Sequence, residues 1–75
     1  MSRDLRQIER ESAQAARWAA KWRLLQNEAL EIAGAVGDPE ARQQMRRCEG
    51  YRLLAERATE RSERLARLAS HMKKR

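Results

Sequence analysis

The sequence predicts an all-α protein: an antiparallel two-helix hairpin of coiled-coil type that dimerises into a four-helix bundle. Three observations predict it. The one strong breaker, Gly37-Asp38-Pro39-Glu40-Ala41, sits almost at the midpoint of the 75 residues. Long runs of helix-forming residues lie on both sides of it, and β-branched residues are too scarce to favour a sheet. In both halves apolar residues recur at steps of three and four, the spacing of a helix with one buried stripe.

Helix 1 is expected over about residues 2–36. The Ser2 hydroxyl can cap its first turn, and Asp4 suits the positive end of the helix dipole. Its end is placed between Gly34 and Gly37, because glycine readily takes the left-handed conformation that closes a helix. Its main stripe reads Ile8, Ala15, Trp18, Trp22, Leu25, Ala29, Ile32 and Val36. Beside that stripe lie Leu5, Ala13, Ala16, Ala19, Ala20, Leu24 and Ala33, more apolar surface than one partner helix can cover.

A turn at 37–39 leads into helix 2, expected over about residues 39–72, with a frayed tail at 73–75 that makes His71 to Arg75 the loose end. Asp38 can cap this helix, Pro39 fits its first position and Glu40 complements the dipole. Two heptad lines form its seam. One is small throughout: Ala41, Cys48, Ala55, Ser62, Ala69. The other is Gln44, Tyr51, Ala58, Leu65, Met72. The small line lets the partner backbone come close, with Trp18 and Trp22 expected across from small residues near the middle of helix 2. The single domain therefore spans 1–75, and each rod is about 50 Å long at 1.5 Å per residue.

Composition excludes several functions. A chain of this size buries only roughly 60% of its unfolded surface and generally needs extra support. Cys48 is the lone cysteine, so no internal disulfide supplies it, and His71 is the lone histidine, so no ligand cluster for a metal forms. Self-association or docking on a larger protein remains. No glycine-rich phosphate loop, Cys-His pair or Glu-x-x-His motif is present. The expectation is a protein with no catalytic, cofactor or metal site, no small-molecule substrate and no membrane span, since the longest apolar run is Ile32-Ala33-Gly34-Ala35-Val36. No apolar stretch follows Met1-Ser2-Arg3-Asp4, so a cytoplasmic protein is expected.

The net charge of +6 is uneven. Residues 1–39 carry six basic and six acidic side chains, whereas residues 40–75 carry eleven and five. Glu60–Arg64, Glu63–Arg67 and Arg52–Glu56 have the spacing of intrahelical ion pairs, which describes a solvated face. The competing reading is a nucleic-acid footprint, for which Arg46, Arg47, Arg64, Arg67, Lys73, Lys74 and Arg75 are the candidate contacts.

The interaction candidates are Trp18, Ala20, Trp22 and Leu24 on helix 1 and Arg46, Gly50, Leu53 and Arg57 on helix 2. Tryptophan is enriched at interface hot spots. Gly50 and Leu53 fall on the outer side of helix 2, where a glycine costs about 1 kcal/mol relative to alanine and a leucine gains nothing from the hairpin. The expected function is a non-enzymatic protein-interaction module (an adaptor, chaperone-like subunit or inhibitor) working on a second copy or a larger protein. The alternative is an arginine-rich dimeric bundle that binds RNA or DNA. The segment Gly37-Asp38-Pro39-Glu40, followed by a Gln- and Arg-rich helix, also resembles the turn of the small helical hairpins of type III secretion, the needle subunits and their co-chaperones. That resemblance implies a structural hairpin of higher-order assembly; the positive charge of helix 2 departs from the pattern.

Overall fold

In a computed structural model, which describes residues 4–74, the chain is two helices, α1 (Leu5–Ala35) and α2 (Glu40–Lys73), folded back on each other with no strand among the described residues. They form one rod with extents of 57 × 18 × 14 Å.

The caps differ in detail from expectation. Ser2 lies outside the described residues. Asp4 is the cap of α1: it is extended, and its carboxylate accepts the Gln7 N–H at 2.7 Å. At the other end of α1 no glycine takes a positive φ. The chain leaves instead through extended Val36, whose N–H donates to the Ile32 carbonyl. Valine favours extended backbone, and here its side chain is half-buried, closing the seam at the turn. Nor does Asp38 cap α2. Pro39 occupies the cap position, one residue before the expected first helical place, with no side-chain bond to the first turn. The free N–H groups go to backbone: Ala41 donates to the Gly37 carbonyl, and Arg42 and Gln43 donate to that of Pro39. The Asp38 carboxylate pairs with Arg42 at 3.8 Å. His71, expected in the frayed tail, is helical; Arg75 lies outside the described residues.

The α2 seam runs as the sequence suggests. Cys48, Ala55 and Ala69 are buried on the small line, Leu65 on the other, and the remaining seam residues are partly buried. The α1 stripe is corrected. Its buried and half-buried positions step 3,4,3,4 through Leu5, Ile8, Ser12, Ala15, Ala19, Trp22, Gln26, Ala29, Ala33 and Val36. Trp18 and Ile32 are exposed, and Leu25 is a half-buried flank.

Cross-helix contacts give the reason. The Ser12 hydroxyl donates to the Ser62 carbonyl, and the Ser62 hydroxyl returns a bond to the Ser12 carbonyl, each at 3.0 Å. Hydroxyls can reach opposing backbone carbonyls only where the two helices lie close together. One heptad closer to the turn on each helix, Ala19 and Ala55 are both buried, Ala55 with 1% exposed. On the other line bulk meets bulk: Trp22 stacks on Tyr51, and Ile8 packs with Leu65 and Ala69, flanked by Leu5 and Met72. Ser12 thus faces Ser62 on one line, and Trp22 faces Tyr51 on the other. Trp22 does not lie across from a small residue, and Trp18 is excluded from the seam, where its bulk would hold the backbones apart.

This packing sets two expected outcomes. Ala55→Leu, which adds bulk on the buried small line, should lower stability by about 1–3 kcal/mol in urea unfolding. Gly50→Ala should raise it by about 1 kcal/mol, because the helix gains propensity and the new methyl group meets open space.

Candidate functional site

The hairpin has two broad faces. One is bordered on α1 by Glu11, Trp18, Leu25 and Ile32, and on α2 by Arg47, Leu54, Arg61 and Leu68; both stripes step by seven. They meet on one side, since Glu11, Trp18 and Arg61 line the same open hollow of about 370 Å³. We call this the tryptophan face. The opposite face carries Ala16, Arg23 and Leu30 beside Met45, Arg52, Thr59 and Ala66, and is alanine-rich. Of the eight large apolar side chains that stay exposed among the described residues, four lie on the tryptophan face: Trp18, Ile32, Leu54 and Leu68. Leu30 and Met45 are on the alanine face, and Leu24 and Leu53 on the two outer edges.

An aromatic ladder crosses the tryptophan face. Trp18 stacks on Trp22 and Trp22 on Tyr51, each pair with centroids 5.9 Å apart. Tyr51 and Trp22 belong to the seam, so they fix the ring of Trp22, and Trp22 in turn supports Trp18, which remains 44% exposed. The Lys21 ammonium lies 4.9 Å from the Trp18 ring centroid, a cation–π contact. Beside the ladder the small Ala15 and Ala58 leave the hollow, which Arg57 and Arg61 border from α2. A rigid, half-exposed tryptophan beside a concavity is the usual anatomy of a protein contact.

Charge on α2 is sorted by stripe. Glu49, Glu56 and Glu63 share one line next to the alanine face, and Arg52 lies between the first two. Its guanidinium grips both Glu49 oxygens and donates to Glu56 at 2.7 Å. That hydrogen bonding holds the Glu49 carboxyl below its usual range and pushes the Arg52 guanidinium up, Glu49 again being the main cause. The arginines Arg46, Arg47, Arg57, Arg64 and Arg67 lie around the other side of the helix, with Glu60 between Arg57 and Arg64. Of the expected intrahelical pairs only Arg52–Glu56 forms; Glu60–Arg64 and Glu63–Arg67 are not ion pairs among the described residues. Lys73 instead reaches across to Glu9 at 3.5 Å, and Lys74 is exposed at the helix end.

The predicted contact residues divide among three places. Trp18, Trp22 and Arg57 come together at the hollow. Arg46, Gly50 and Leu53 lie exposed along the outer edge of α2. Ala20 borders a depression on the alanine side with Arg23 and Glu63, and Leu24, 60% exposed, sits on the outer edge of α1. Trp22, Leu24 and Ala20 are thus not one surface. Ile32, Leu54 and Leu68 were missed as contact candidates; their signal is the seven-residue spacing immediately beside the seam. Cys48 is buried in the small line, no group of three or more His, Cys, Asp and Glu among the described residues could hold a metal, and no described helix is long and apolar enough to cross a membrane.

No protein-family model matches the chain, and searches of curated proteins and of solved structures find no significant match.

The Arg52 clasp gives a pH signature. In a carboxyl-detected NMR titration, Glu49 should titrate below the ordinary glutamate value of about 4.3 and move back up in Arg52→Ala. The helix support from this pair is present at neutral pH and is lost as pH falls through that lowered pKa.

Proposed function

We propose that the hairpin is a small non-enzymatic interaction module whose working surface is the tryptophan face. One observation carries the reading: Trp18, Ile32, Leu54 and Leu68 stay exposed on a single face while the seam between the helices is built largely of alanine. The fold could have buried these side chains only by giving up the close approach of its backbones. Large apolar groups gathered on one face, with an aromatic ladder behind them and arginines around them, have the composition of a contact surface.

The test compares the parent with Trp18→Glu, both checked for helix content by circular dichroism. The parent should hold a protein, either another copy or a different chain, saturably and at fixed stoichiometry. The variant should hold it at least about tenfold more weakly, the loss expected when a hot-spot tryptophan is removed. A parent that stays a single chain and captures no protein ends this reading.

A second reading, binding of RNA or DNA, is favoured by the surplus of positive charge in residues 40–75, eleven basic side chains against five acidic. It requires fluorescence-anisotropy binding to a labelled RNA hairpin or DNA duplex at about 50 mM salt, falling steeply by about 200 mM. Arg64→Ala and Arg67→Ala should each reduce the salt slope by about one. No binding at the lower salt removes it.

A further inference from the structure

Trp18 stands between two concavities, and the charge around both is mostly of one sign. Toward the seam is the open hollow that Arg57 and Arg61 border from α2. On the outer flank of α1 is a second one, lined by Arg10, Arg17 and Lys21, and the two share Gln14 and Trp18. Five cations thus surround one half-exposed tryptophan, against a single lining acid, Glu11, which is half-buried and already has a partner within the chain.

These cations are not spent on other groups. No ion pair among the described residues engages Arg10, Arg17, Arg57 or Arg61, and Glu60, close to Arg57 on α2, pairs with neither Arg57 nor Arg61. Lys21 keeps its charge, because a ring attracts a cation without neutralising it. The same coupling of an apolar side chain with cations recurs further from the turn, where Arg61 and Arg64 border Leu68. Like charges gathered on one surface draw an anion to it.

The apolar groups indicate which anion. The chain has three aromatic residues, and Trp22 and Tyr51 are committed to the seam, so Trp18 is the one ring offered to a partner. Single-stranded nucleic acid is held by several rings on which successive bases stack, and this face has no such row. What continues the face is aliphatic: Ile32, Leu54 and Leu68, all exposed. Aliphatic groups gain nothing from phosphate and suit the apolar side chains of a protein. The hollow, about 370 Å³, lies at the low end of the ~300–1,000 Å³ of ligand pockets, which is room for one large side chain.

Resting on the interaction-module reading, we infer that the tryptophan face takes an acidic segment of another protein. A large apolar side chain of that segment seats in the hollow against Trp18. Carboxylates around it pair with Arg57 and Arg61 on one side and with Arg10 and Arg17 on the other. This joins two known modes of recognition, an apolar helix face in a groove and an acidic motif on an arginine cluster.

The test uses the full chain and a fluorescein-labelled helical peptide of about 18 residues, five turns, with leucine and phenylalanine on one face and glutamate elsewhere. Fluorescence anisotropy at about 50 mM salt, where screening is weak, should show saturable binding of one peptide per chain. Arg57→Glu with Arg61→Glu should weaken it at least about tenfold. Arg23→Glu with Arg46→Glu, the same change of net charge away from Trp18, should keep the constant within about twofold. Circular dichroism checks that both double variants stay helical. In Trp22→Phe, where Trp18 is the sole tryptophan, the peptide should shift its emission to the blue. Equal losses in the two double variants mean attraction to net charge alone and overturn the site. A peptide with glutamine for glutamate that binds as tightly overturns the acidic partner. A single-stranded RNA or DNA duplex held more tightly than the peptide, and released by the Arg57 and Arg61 substitutions, overturns it in favour of nucleic acid. Absence of peptide binding overturns it as well, while the module is decided separately by the Trp18→Glu comparison: a parent that holds some other protein through Trp18 keeps the module and loses the acidic partner.

Discussion

The structure depends on one constraint, the close approach of two helix backbones along a line of small side chains. Ser12 and Ser62 exchange hydroxyl-to-carbonyl bonds across it, and Ala19 and Ala55 are buried one heptad closer to the turn. The bulk of a tryptophan is kept off that line. Some large side chains pair on the parallel line, as Trp22 with Tyr51 and Ile8 with Leu65. The remainder is displaced to the flanks, which is why Trp18, Ile32, Leu54 and Leu68 are exposed. The apolar face is thus a consequence of how the hairpin packs.

How far the sequence could be read follows from the same constraint. The two lines of α2 were legible because one is small at every step and the other is mostly larger, leaving one consistent phase. On α1 the choice between Trp18 and Ala19, or Ile32 and Ala33, turns on what stands opposite. Hydropathy ranks tryptophan and isoleucine as the better core residues; geometry ranks alanine, because α2 presents Ala55 and Ala41 there. A one-residue error in phase therefore moved part of the stripe to the wrong flank and scattered the predicted contact set over three surfaces. The turn was legible as a break but not as a cap. Pro39 removes one donor and its carbonyl takes two others, so Asp38 has no capping to do.

Charge is sorted by the same heptad arithmetic. Along the sequence of α2, acids and bases alternate closely enough to suggest mutual neutralisation. Once the phase is fixed, Glu49, Glu56 and Glu63 fall on one line, with Arg52 clasping the first two. Of the other arginines, Arg57 and Arg61 fall on the far side and border the hollow of the tryptophan face. Exposed ion pairs such as the Arg52 clasp add little stability because solvent already screens them. Their larger effect is to hold negative charge on one side, so that the surplus of positive charge gains a direction.

Stability and function consequently share one surface. A seam of alanine, serine and cysteine removes little apolar area from water, since each small side chain contributes a fraction of what a leucine does. Helices in proteins draw most of their stability from the packing of an amphipathic face rather than from propensity. The largest unspent packing in the molecule is the tryptophan face. Whatever covers that face adds to the free energy of folding as well as to that of binding, so the two quantities are linked through partner concentration. A hairpin built this way has reason to keep its bulkiest residues outside: placed in the seam, Trp18 would separate the backbones, and placed on the flank it gives the rod something to hold.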